Sequence, residues 1–222
     1  SGNIVITDAA YTIGTATQKI IMNGPGLQTI TGAGICGFNL EVNKAVDSTL
    51  VGHWKLDDAT GAIGVDSSGL SNTGSLINSP TWVAGQDGGA LSFNGSNQYM
   101  SIANASNLVV GGAGADFSVG YWLYLKQGFT GSWRSLMHKG DVDTDRTFAM
   151  WMHDTDNKLH YRISTTSTYN EGNDSAAAIP LNTWTHVTYV KSGGLLILYI
   201  NGVWDSQIAL VGTSISNTGQ IR

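Results

Sequence analysis

The stretch Ala90-Leu91-Ser92-Phe93-Asn94-Gly95-Ser96-Asn97-Gln98-Tyr99-Met100-Ser101-Ile102 decides the fold class. It reads as two apolar-alternating strands separated by an Asn-Gly-Ser-Asn turn. Working outward, His53-Trp54-Lys55-Leu56-Asp57-Asp58 and the turn-rich Asp66-Ser67-Ser68-Gly69 precede it. A further strand, Asp116-Phe117-Ser118-Val119-Gly120-Tyr121-Trp122-Leu123, follows.

The same grammar runs through the chain. Apolar residues alternate, Gly, Asn, Ser and Asp punctuate, and no segment has helical periodicity. Strands are predicted at 3–7, 18–23, 27–31, 37–43, 51–57, 75–78, 90–94, 98–103, 116–125, 134–139, 146–153, 158–164, 184–191, 195–201 and 203–210. Short strands at this spacing specify an all-β, antiparallel jelly-roll sandwich.

Composition narrows the function classes. Hydrophobic residues make up 41% of the 222, enough for a buried core, while only 12% are charged, about half the usual ~25%. Together with 29 glycines, this describes the turn-rich surface of an extracellular or cell-surface protein. The net charge is −5 without a basic cluster, which argues against nucleic acid as a partner, since phosphate binding needs concentrated Lys and Arg. No apolar run approaches the ~20 residues of a membrane span, so no membrane insertion is expected. One cysteine, Cys36, leaves no internal disulfide.

In order and spacing, these phrases resemble the laminin-G-like, concanavalin A-like lectin and glucanase jelly rolls over about residues 48–222. Trp54-Lys55-Leu56-Asp57 is similar to the family's opening strand and Asp66–Gly74 to its next loop. Trp184-Thr185-His186-Val187-Thr188-Tyr189 with Leu198-Tyr199-Ile200-Asn201-Gly202-Val203 is similar to its late hairpin. The resemblance implies a concanavalin A-like sandwich with Trp54, Trp122 and Trp184 in the core. It also implies a further strand after a phrase such as Asn217–Arg222. Its absence would leave an open edge: a fragment, filling by residues 1–47 and a strand donated by a neighbouring copy all remain open. Residues 1–47, which lack Trp, form a β-rich appendage resembling repeat units of bacterial surface proteins.

The fold hosts lectins, adhesion modules and glycosidases, so the residues must decide among them. Glycoside hydrolysis needs two facing carboxylates. The only glutamates are Glu41 and Glu171, no Glu-x-Asp-x-x-Glu strand exists, and adjacent Asp57 and Asp58 would point to opposite faces. A glucanase is therefore the weak alternative, and a non-enzyme is expected. The histidines (53, 138, 153, 160 and 186) lack a nucleophile elbow, and His153 and His160 do not form a tight zinc pair.

Calcium, in a structural or ligand-bridging role, is the better metal expectation, because it takes oxygen ligands. Asp141, Asp143 and Asp145 offer acids at alternate positions of one loop, with a solvated acidic turn as the competing reading. Asp57, Asp66 and Asn72 surround the opening loops, where Asp66 would otherwise cap its own turn.

Sugar recognition needs aromatic platforms and amide fans. Trp133, Trp151, Tyr161, Tyr169 and Trp204, with Asn170 and Asn173, are the candidate carbohydrate-binding residues. The expected function is a non-catalytic carbohydrate-binding or adhesion module for polysaccharide or glycoprotein glycans. The alternative is a structural spacer or filament subunit whose neighbouring copies join by strand addition.

Overall fold

The computed structural model describes residues 4–5, 30–31, 49–141 and 143–222. The chain divides into two compact units, Ser1–Leu50 and Val51–Arg222. In the first, β1 (Ile4–Val5) pairs in parallel with β2 (Ile30–Thr31). The predicted strands at 18–23 and 37–43 lie outside the described residues.

The second unit is a sandwich of two antiparallel sheets. One sheet runs in the order β15 (Val203–Ala209), β14 (Leu195–Ile200), β13 (Trp184–Ser192), β8 (Phe117–Tyr124). The opposing layer holds β12 (Glu171–Ala178), β11 (Lys158–Ile163), β10 (Asp145–Met152) and β9 (Arg134–Asp141). It continues into β7 (Tyr99–Ile102), β4 (Gly74–Ile77) and β3 (Ile63–Gly64). The join is made by Gln220–Arg222. Ile221 exchanges backbone hydrogen bonds with Ile102, and Arg222 exchanges them with His138. Residues 220–222 thus pair with β7 on one side and β9 on the other.

The core lies between the layers, and alternation along each strand fills it. Val187 and Tyr189 of β13 and Leu196 and Leu198 of β14 meet Phe148, Met150 and Met152 of β10 and Leu159, Tyr161 and Ile163 of β11. All ten are essentially inaccessible to solvent. Asn201 and Gly202 take positive φ of 52° and 76° at the β14–β15 turn, the two left-handed positions that a two-residue hairpin of this twist requires.

Three local readings change. Residues 51–57 make only an isolated bridge from Trp54 to Asp66, because Leu56 takes φ of 60° and ends the extended run. The predicted strand 90–94 is β6 (Gly89–Ser92), and it pairs with β5 (Thr81–Ala84), a strand the sequence reading did not include. β12 was not expected at all, since Glu171-Gly172-Asn173-Asp174 has poor strand propensity. It pairs with β11 from Ile163–Glu171 to Lys158–Ala178. Its far end is held to the other layer by Asp205, whose carboxylate accepts from the Ala176 and Ala177 amides at 2.8 and 2.9 Å.

Candidate functional site

The outward face of β9–β12 departs from an ordinary solvated sheet surface. Register places Ala149 beside His138 and Arg162, and Trp151 beside Ser135 and His160. Arg162 pairs in turn with Gly172, and His160 with Asp174. Small residues at Ala149 and Gly172 leave room, and the larger side chains close over it.

The result is a continuous strip of rings and cations. Trp133, in the loop before β9, has its ring centroid 4.5 Å from both His153 and His160. His160 lies 6.1 Å from Trp151. The Arg146 guanidinium sits 4.4 Å above Trp151 and 5.3 Å from Tyr169. Trp133 and Tyr169, at the two ends, are 46% and 47% exposed, whereas Trp151 and Arg146 between them are buried. Half-exposed aromatic rings flanking a buried polar floor form a surface that can stack on a flat ligand.

The polar groups fix one another. His160 Nδ1 lies 2.7 Å from Asp174 Oδ1, and Arg162 Nη2 donates to the same oxygen at 3.2 Å. Because the carboxylate can only accept, His160 carries its proton on Nδ1. Burial pushes the His160 imidazole below its ordinary value, aided by the Arg162 charge and opposed by Asp174. Burial likewise lowers His138, with Arg222 and Arg146 adding to the effect and Asp141 opposing it. Both rings are thus neutral at neutral pH.

Of the expected sugar ligands, Trp133, Trp151, Tyr169 and Asn170 come together here, Asn170 Oδ1 accepting from Arg146 Nη1 at 2.6 Å. Three others do not. Tyr161 faces the core with no exposed surface and donates to Ser206 Oγ at 3.0 Å, so its ring offers no platform. Asn173 pairs with Tyr161 on the inward side and reaches Gln207 O of β15 at 3.4 Å. Trp204, 55% exposed, stands on the other sheet beside Gln207. The sequence singled out neither Arg146 nor the role of His138 and Arg162, because only strand register brings them to one face.

Trp122 and Trp184 correct a further expectation. Trp122 is 48% exposed, and its ring meets His186 on the outer face of the β15–β8 sheet. Trp184 packs there against Tyr124. Trp122, Trp184 and His186, with Gln86, Asn201 and Gly202, line an open hollow of about 590 Å³. Trp54 does pack against the core and donates to Asn72 O at 2.7 Å.

Most of the calcium candidates make hydrogen bonds within the chain. Both Asp66 oxygens are fully engaged, accepting from His53 N, Ser68 N, Ser68 Oγ and Asn72 N at 2.7–2.9 Å. Burial raises this carboxyl, but those four hydrogen bonds outweigh it and hold the group below its usual range. Asn72 Nδ2 points at Val51 O, and Asp57 accepts from Gly89 N. Asp141 caps the Asp143 amide in its own turn, while one Asp145 oxygen is buried without a partner. Among the described residues no three His, Cys, Asp or Glu side chains are placed to hold one metal ion. Glu171 is spent on structure, accepting from Thr165 Oγ1 at 2.6 Å and from the Val211 and Gly212 amides.

A two-layer antiparallel jelly roll with an aromatic outer face defines the class as a lectin-like β-sandwich. The model of the concanavalin A-like lectin/glucanase superfamily matches residues 94–221, more than half of the chain, and the chain belongs to that superfamily. No curated protein matches it. Among solved structures it is similar to the binding domain of Paraclostridial Mosquitocidal Protein 1, with 17% identity, a TM-score of 0.58, and coverage of 73% of this chain and 41% of that one. Domain 4 of AbnA, a GH43 extracellular arabinanase from Geobacillus stearothermophilus, solved in complex with arabinotriose, is 16% identical. Its TM-score is 0.52, with 77% and 88% coverage. The binding domain of Botulinum neurotoxin serotype G is 15% identical, with a TM-score of 0.55 and 71% and 39% coverage. The chain thus spans about two fifths of each of these two toxin domains. At such identities the likeness is one of fold. Among the described residues no helix is long and apolar enough to cross a membrane.

Proposed function

We propose that this protein is a non-catalytic carbohydrate-binding module of a secreted or cell-surface protein, and that the outer face of β9–β12 receives the glycan. The observation that carries this reading is the pair of half-exposed rings, Trp133 and Tyr169, at the two ends of one strip of buried polar groups. Sugar rings present flat C–H faces to such platforms, and the intervening His and Arg groups supply hydrogen bonds to hydroxyls. The AbnA domain of the same fold, held with arabinotriose, supports the assignment of a saccharide to this architecture. Glu171 and Asp174, bound up in structural contacts, favour binding over hydrolysis.

The test is a glycan array with the full chain and with Trp133→Ala and Trp204→Ala. Glycan binding that survives Trp204→Ala and is lost in Trp133→Ala supports the assignment. Loss in Trp204→Ala alone would move the site to the opposite sheet. Silence across the array would overturn the reading.

A further inference from the structure

Arg146 is the anomaly of this face. It is 7% exposed, yet no carboxylate lies within ion-pair distance of it among the described residues. Arg162 and Lys191, by contrast, each have an acid within 3.2 Å, Asp174 and Asp116. Asp141 and Asp143 act on Arg146 only through space. A buried charge without a partner costs several kcal/mol in a folded chain, so its retention calls for an explanation.

The hydrogen bonding of the guanidinium is lopsided. Nη1 donates to Asn170 Oδ1 at 2.6 Å. Nε is buried and meets no acceptor, and Nη2 has no protein partner among the hydrogen bonds of the described residues. The unpaired Nε–Nη2 edge is one of the two flat edges with which a guanidinium grips a carboxylate through parallel bonds. The Trp151 and Tyr169 rings, 4.4 and 5.3 Å from the guanidinium carbon, hold that plane in place. Asn170 fixes its rotation about the long axis. A cation held by two rings and one edge, with the other edge left unpaired, is built as a receptor.

We infer that Nη2 of Arg146, the unpaired nitrogen beside buried Nε, receives the carboxylate of an acidic saccharide. This rests on the glycan reading of the face and adds its ligand class: uronate-type sugars in preference to neutral ones. Tyr169, half exposed and lying against the guanidinium, stacks on the same sugar whose carboxylate Arg146 binds. Locally the strip carries Arg146 without an ion-paired acid, against a chain net charge of −5.

The experiment measures binding of the full chain to polygalacturonate, alginate and hyaluronan, each against its carboxyl-reduced neutral counterpart, at low and high sodium chloride. The expected result is at least tenfold tighter binding to one acidic form than to its reduced form. That difference should shrink as salt rises. Arg146→Gln removes the preference and Arg146→Lys weakens it, with circular dichroism and the denaturation midpoint reporting whether each variant folds. The salt dependence of the unmodified protein keeps the test valid if Arg146→Gln does not fold. Equal binding to acidic and reduced forms, abolished by Trp133→Ala and untouched by Arg146→Gln, overturns the acidic preference and leaves the glycan site standing. No binding to any saccharide overturns both.

Discussion

The Trp133 and His160 rings lie 4.5 Å apart between centroids, inclined at 59°, and His160 is anchored behind by Asp174 at 2.7 Å. The anchor leaves Trp133 a fixed wall to lean on while nearly half of its surface stays open. Trp133→Ala should therefore weaken glycan binding by at least about tenfold, equivalent to ~1.4 kcal/mol. It should cost little stability, because the ring is not in the core. Tyr161→Phe is the converse, losing about 1 kcal/mol with its buried hydrogen bond to Ser206 and leaving binding unchanged. Isothermal titration together with urea denaturation separates the two. Equal effects of both variants on affinity would refute the division into outer face and core.

Stability should fall on mild acidification. The His138 and His160 imidazoles are both held below their ordinary value in the folded chain, chiefly by burial. Between the ordinary value of ~6.5 and the lowered folded values, the unfolded chain takes up protons that the folded chain refuses. Their stabilising contribution is thus complete above about pH 6.5 and is lost as pH falls through the folded values. The urea midpoint should drop between pH 7.5 and pH 5, and the drop should be smaller in His138→Gln. An unchanged midpoint over this range contradicts the burial argument.

How much of this was legible depends on parity along each strand. β14 and β15 could be read because Asn201-Gly202 fixes their register. In Phe117-Ser118-Val119-Gly120-Tyr121-Trp122-Leu123-Tyr124 the apolar residues occupy both parities from Tyr121 onward. The pattern alone therefore cannot say whether Tyr121 or Trp122 turns inward, and a shift of one residue exchanges the faces. Val119, Tyr121 and Leu123 pack on the core, which puts Trp122 outside. β12 was hidden for another reason: its order comes from the Asp205 carboxylate and the β11 register, not from its own residues. Arg146 follows an acidic turn and reads in sequence as a surface cation. Only the folded sheet lays it over Trp151.

Asp66 ties the opening loops with four hydrogen bonds. Asp66→Asn turns one acceptor oxygen into a donor facing the same amides and hydroxyl, which should cost about 2 kcal/mol in urea denaturation near pH 7. The carboxyl is held below its usual range, so its contribution is full above ~3.9 and is lost as pH falls through the folded value. The difference between the two proteins should accordingly narrow below pH 4. A gap that persists at pH 2 would mean that the carboxylate charge is not what holds the loop.

Ile221 closes the sheet between β7 and β9, with its backbone paired to Ile102 and its side chain in the core cluster. The two roles can be separated. Ile221→Ala keeps the backbone bonds and removes buried methyls, and should cost about 2–4 kcal/mol. Ile215→Ala, at a position 37% exposed, should cost under about 0.5 kcal/mol. Ile221→Pro deletes the amide that donates to Ile102 O at 3.0 Å and should destabilise beyond the alanine variant, because the ladder is broken as well as the packing. Parting β7 from β9 would expose unpaired edges on both, so this variant should also associate as concentration rises. A monomeric Ile221→Pro variant as stable as Ile221→Ala would show that side-chain burial alone, and not the main-chain pairing, joins the two halves of the sheet.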